Sequence, residues 1–216
     1  LIKVIFIYFL SNFQMKKFVF KKALKSVKQK ADIYTILSQN DVQLTTQVKK
    51  EVIFPLNQEV ENQIDKLIDT LRLNKGVYEK KGVAIAANQV GLDLRFFLLA
   101  DFNANPFDIQ KRILTICNPQ ILDKSKETSE EEEGCLSIPE QLAFVTRPIQ
   151  ILVEYQNIMG KKVKQELSGL QARAFQHELD HLDGIHMLQR ANRVVENPLY
   201  IEYLKKQEEQ QNQNQQ

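Results

Sequence analysis

Gln176-His177-Glu178-Leu179-Asp180-His181-Leu182-Asp183-Gly184 holds two of the chain's three histidines, four residues apart, with a glutamate directly after the first. On a helix that spacing puts both imidazoles on one face, where they can close on a single metal ion. Glu178 points about 100° away round such a helix, too far off to be an easy third ligand. It can still reach water held at that ion, where a general base is needed. The plainer alternative is a surface helix that happens to carry polar residues.

Outward from this stretch, Ser168 is placed to cap the helix and Gly184 to end it. Phe144–Tyr155 and Lys161–Leu167 alternate as a hairpin does, with Asn157-Ile158-Met159-Gly160 as its turn. Arg112–Cys117 and Gln120–Leu122 read as strands broken by Asn118-Pro119, and Leu94–Leu99 as a further apolar strand. Glu127–Glu133 reads as a charged loop containing four consecutive glutamates. Three of these are a solvated face, whereas Glu133, touching a Gly-Cys pair, is less easily dismissed. Asn57 is an N-cap for a helix in which Val60, Ile64, Leu67, Ile68 and Leu71 recur at helical spacing. Tyr34–Phe54 suits extended wrapping, and Asn197-Pro198 starts a last amphipathic helix with Leu199, Tyr200, Tyr203 and Leu204. Antiparallel strands with a few helices make an α+β domain.

The 216 residues suffice for one domain with a real core, over 32–206, flanked by two segments of different character. Residues 1–31 carry eight lysines and no acid, with the apolar run Val4-Ile5-Phe6-Ile7-Tyr8-Phe9-Leu10 near their start. We read them as a targeting leader or a disordered extension; a signal-type apolar region, or a true start at Met15, are the alternatives. Residues 207–216 are rich in Gln and Asn and are expected to be disordered. A net charge of +2, without a basic stripe interleaved with aromatics, gives no sign of nucleic acid. There is no apolar run long enough to span a membrane, and two cysteines make no disulfide framework.

Many zinc peptidases share the HExxH helix and differ in the third ligand. One group adds a glycine and a further histidine; Gly184 falls in place, but Met187 stands where that histidine would be. His186 is one position early and reads as a surface or strand histidine. The remaining candidate is a thiolate. Cys135 lies in Glu133-Gly134-Cys135-Leu136-Ser137, a tight turn, although taken alone a buried free cysteine would explain it. Cys117, in an apolar strand, reads as core. Two imidazoles, one thiolate and an open position for water would make a catalytic site rather than a closed structural one.

Three separated stretches now stand in order: Gly82-Val83-Ala84-Ile85-Ala86-Ala87-Asn88-Gln89-Val90-Gly91, then Glu133–Ser137, then Gln176–Gly184. With them the chain resembles peptide deformylases of the bacterial and organellar type, from about Tyr34 to Arg190. The resemblance implies antiparallel β-sheets wrapped around a central HExxH helix, with a C-terminal helix. It implies one divalent metal on Cys135, His177 and His181, with iron(II) native and zinc, nickel or cobalt able to substitute. Glu178 is then the acid/base, and Gln89 with the backbone N–H of Leu136 holds the oxyanion. The substrate would be a formylmethionyl peptide emerging from a ribosome, losing its formyl group as formate. Its backbone would lie beside Val83, Ala84 and Ile85, and its methionine in a slot lined by Leu170, Ala174 and part of Glu133. The compartment would be a mitochondrion or plastid-like organelle, or else the bacterial cytoplasm.

Two departures from the family pattern stand out. Ala84 replaces a glycine, where its methyl would crowd the peptide or oppose a positive φ. Leu142 stands where several bacterial members carry an arginine that contacts peptide. Arg147 is retained and is placed to pair with Glu133. The competing functions are a metallopeptidase built on the same helix and a silent homologue that binds metal or a peptide terminus.

Overall fold

The apolar run near residue 96 shows why the chain folds in layers. In the computed structural model, which describes residues 32–73, 83–101 and 113–213, strand β2 (Phe96–Ala100) is buried at all five positions. A strand sends alternate side chains to opposite faces, so a fully buried one must be covered on both. Phe96 and Leu98 pack with Ile64, Leu67 and Leu71 of helix α1 (Gln58–Leu73). Phe97 and Leu99 pack with Ala172, Ala174 and Phe175 of helix α2 (Gly169–Leu182). Phe97 meets Phe175 edge-on, ring centroids 5.0 Å apart.

Around β2 a five-stranded antiparallel sheet runs in the order β1 (Ala84–Ala86), β2, β3 (Ile113–Lys124), β6 (Gln150–Gln156) and β7 (Lys162–Ser168). A second, three-stranded sheet has the order β4 (Thr128–Cys135), β5 (Ile138–Pro148), β8 (Ala191–Glu196). A one-turn helix α3 (Met187–Arg190) leads into β8, and α4 (Pro198–Gln213) follows it.

Several boundaries differ from the sequence reading. Asn118 does not break β3; it takes a left-handed φ of 51° inside a register irregularity. Asparagine tolerates that conformation, and its side chain exchanges hydrogen bonds with the backbone of Val52 at 2.8 and 2.9 Å. The glutamate run is not a loop but the edge strand β4, paired with β5 from Thr128↔Pro148 to Gly134↔Leu142. Charges suit an edge, where they discourage pairing with other chains. Phe144–Tyr155 is two strands in different sheets, β5 ending at Pro148 and β6 starting at Gln150. Proline lacks the N–H to continue the ladder. The Asn157–Gly160 turn between β6 and β7 is as expected.

Helix α1 is capped by Asn57, whose Oδ1 accepts the Val60 N–H at 2.9 Å. Ser168 occupies the N-cap of α2 without a side-chain cap bond. Helix α4 has no buried residue and runs to Gln213. Gln, Glu and Lys are good helix formers, so propensity alone carries the exposed turns. The leader-like residues 1–31, Gly82 and Arg112 lie outside the described residues. Among the described residues no helix is long and apolar enough to cross a membrane.

Gly184 ends α2 at φ +75°, and a Cβ there would come within 2.9 Å of Thr45 O and Gln47 N. Both obstacles are backbone, so neither yields cheaply. Gly184→Ala is expected to lower stability by about 1–3 kcal/mol, read as a shifted midpoint in urea unfolding.

Candidate metal centre

Helix α2 carries His177 and His181 a turn apart, rings edge-on with centroids 4.9 Å apart. Cys135 comes to them from the last residue of β4, where the hairpin reverses through Leu136-Ser137 and Cys135 pairs with Ile138. Cys135 Sγ lies 3.2 Å from His181 Nε2. One ligating atom from each of the three residues falls within 4.8 Å of the others, and all three residues are buried. The 3.2 Å between Cys135 Sγ and His181 Nε2 is close to the separation of about 3.5 Å expected between S and N donors sharing a tetrahedral ion. A soft thiolate with two imidazoles is a donor set suited to a divalent transition metal. Cys117 stays in the core beside α1, where burial pushes its thiol up to about 12. His186 sits half-buried at the start of α3, and Met187 is core.

Beneath His177 lies a buried ionic network. His177 Nδ1 is 2.9 Å from Glu133 Oε2, and because a carboxylate can only accept, the imidazole donates there and leaves Nε2 for a metal. Arg147 Nε and Nη2 donate to the two Glu133 oxygens at 2.6 and 3.0 Å, and Arg173 Nη1 to Oε1 at 2.8 Å. Arg147 Nη1 also reaches Asp180 at 2.8 Å, and Asp180 accepts from Arg190 at 2.9 Å. Burial opposes ionisation of Glu133, but hydrogen bonds from His177 and Arg147, with their charges, hold its carboxyl down at about 2. Its carboxylate is thus committed to the network, and only its stem is left to border a substrate.

Glu178, next to the first ligand candidate, is in the opposite situation. It is 4 % exposed, and among the described residues its Oε2 is buried with no hydrogen-bond partner. Burial pushes its carboxyl up to about 7, against the charge of His177.

Gln89 stands in a 3-10 turn, Ala87–Val90, directly after β1. Its Oε1 accepts the Ala86 N–H at 2.8 Å, and its Nε2 faces Ser137 Oγ at 3.1 Å and Cys135 Sγ at 3.5 Å. The three signature stretches therefore meet at one place. Val83 is 39 % and Leu170 57 % exposed, while Ala84 and Ala174 are buried. Ala84 pairs with Leu99 at the sheet edge without a positive φ, so the conformational objection to its methyl falls away. Leu142 is buried in β5 opposite Gly134 and Val195.

Over residues 33–197 the sequence matches the polypeptide deformylase family. This chain belongs to that family. It is 38% identical over 168 residues to the peptide deformylase of Bartonella tribocorum, covering 78% of this chain and 92% of the relative. The crystal structure of the Thermotoga maritima peptide deformylase superposes with a TM-score of 0.64 at 35% identity, covering 75% of this chain and 99% of that one. A Met-Ala-Ser-bound peptide deformylase from Acinetobacter baumannii gives 0.63 at 28% identity, covering 74% and 99%. Peptide deformylases are metallohydrolases that remove the N-terminal formyl group from nascent peptides, and this deformylase is one of them.

Arg173, Asp180 and Ser137 were not singled out from the sequence. Arg173 had a signal: an arginine four residues before His177, on the helix face that must be buried, needs an acidic partner.

Proposed function

We propose that Cys135, His177 and His181 hold one divalent ion, that Glu178 is the acid/base of deformylation, and that Gln89 and the Leu136 N–H receive the oxyanion. The observation that carries this is the convergence of the three donor atoms beside a buried carboxylate oxygen with no partner. Bound there, a divalent ion supplies Lewis acidity that makes water nucleophilic near neutral pH. Glu178 takes the proton of the attacking water and hands it to the departing amine nitrogen. As the formyl oxygen gains charge, Gln89 Nε2 and the Leu136 N–H donate to it. His177, held by Glu133, keeps its Nε2 aimed at the ion. We take iron(II) as the native metal, with zinc, nickel or cobalt as substitutes.

The peptide lies extended along β1, which among the described residues is an edge strand of its sheet and so offers an open side for main-chain pairing at its Val83–Ala84 end. Such pairing ignores side chains, which suits many different N-termini. The methionine enters beside Leu170 and Ala174, with Val83 and Ala84 flanking the backbone and the stem of Glu133 at the slot's end. On this reading α2 is the axis around which the sheets wrap. The peptides are those emerging from a bacterial-type ribosome, in an organelle served by the leader 1–31 or in a bacterial cytoplasm.

The test is formate release from formyl-Met-Ala, without cleavage of internal bonds, by protein purified and metal-analysed without oxygen. Internal cleavage, or no formate from metal-replete protein, would overturn the assignment. Iron-loaded enzyme is expected to lose activity in air, and full activity after prolonged aerobic storage with iron alone would refute iron as the native ion. Cys135→Ser is expected to weaken metal binding sharply while Cys117→Ser leaves it unchanged, measured by equilibrium dialysis; equal losses would refute the ligand set.

A further inference from the structure

We propose that Ser137 is a positioning residue for the oxyanion donors. It holds the Gln89 carboxamide with its N–H side towards the reacting centre, from the turn that also bears the Leu136 N–H. This rests on Gln89 being such a donor, as proposed above.

A glutamine is a poor oxyanion donor unless restrained, because its terminal torsion is broad and roughly two-fold. Turned over, it would aim a lone pair at the developing negative charge. Two contacts prevent this. The Ala86 N–H takes Oε1 at 2.8 Å, which decides the nitrogen's side. Ser137 Oγ then takes one Nε2 hydrogen at 3.1 Å, which fixes the plane. The other Nε2 hydrogen faces Cys135 Sγ at 3.5 Å. At 3.5 Å that contact is the longer of the two, so that hydrogen is the one an anionic oxygen can claim. Gln89 and Ser137 are 2 % and 3 % exposed, leaving little room for water to replace either partner. Ser137 also lies in the two-residue reversal between Cys135 and Ile138, beside Leu136. One short turn therefore supplies one donor and anchors the other, and their separation does not depend on distant packing.

If the hydroxyl served only the packing of its own turn, its loss would act independently of the Gln89 side chain. The test is a double-mutant cycle on the metal-loaded full chain with formyl-Met-Ala. Gln89→Ala is expected to lower kcat about 10²-fold or more. Ser137→Ala should lower it about tenfold at unchanged KM, and the double variant should match Gln89→Ala within about twofold. In the cobalt-loaded protein, Ser137→Ala should move the thiolate-to-metal charge-transfer band to lower energy, as Gln89→Ala does, because the N–H···S contact slackens. The proposal is overturned if the double variant is slower than Gln89→Ala by the whole Ser137→Ala factor, or if the band moves in Gln89→Ala and stays in Ser137→Ala. Should Ser137→Ala not fold, Ser137→Gly carries the same cycle. A Gln89→Ala enzyme of undiminished kcat would instead sink the donor reading itself.

Discussion

Glu178→Gln is expected to give a folded protein that binds its metal normally and releases formate about 10²–10⁴-fold more slowly. The amide matches the carboxylate in shape but cannot take a proton from water. Glu178 is not among the three converging donors, so metal content should be unchanged. Nor does folding depend on its charge. Burial already disfavours the ionised form, and its Oε2 has no hydrogen-bond partner to lose. The melting temperature should therefore stay level or rise, as it does when a site strained for function is neutralised. Kinetics and metal analysis on one preparation decide the matter. A variant within tenfold of the parent, with full metal, would remove Glu178 from the reaction.

What could be read from the sequence, and what could not, divides by the range of the interactions. The His177/His181 face is set by one helical turn, and the Cys135 reversal by two residues, so both were legible as local spacing. Their meeting was not derivable from spacing, because a loop and a helix some forty residues apart share no local signal; resemblance to a family supplied it. The glutamates of β4 read as a loop because charge suggests solvent. Yet three of them are exposed on an edge strand while Glu133 is buried, a distinction that pairing with β5 creates. Phe144–Tyr155 looked continuous because alternation persists across Pro148, although the two strands belong to different sheets. The helix that runs to Gln213 with no buried residue leaves no apolar pattern to read, because an exposed helix needs no core.

Glu133→Gln should be the most destabilising single change in the chain's glutamate run, at about 3–5 kcal/mol. The carboxylate accepts from Arg147 at 2.6 Å, Arg173 at 2.8 Å and His177 at 2.9 Å, at 6 % exposure. An amide keeps one acceptor oxygen and turns an NH₂ towards donors, leaving two buried guanidiniums short of negative charge. Among the described residues only Asp180 remains to answer Arg147. The loss is the cost of an unpaired buried charge, and does not measure what the intact pair contributes. The site should feel the change as well. Without a carboxylate on Nδ1, His177 loses the partner that fixes its tautomer and ring plane, so metal affinity should fall about 10–100-fold. Glu132→Gln is the control: that side chain is exposed on the same strand, and its loss should stay within about 0.5 kcal/mol. Urea midpoints and metal titration of the two variants, side by side, separate the outcomes. If Glu133→Gln unfolds no more readily than Glu132→Gln and holds its metal as tightly, the ionic network does not support helix α2. If it loses stability alone, the carboxylate holds the three-stranded sheet to α2 but does not orient His177.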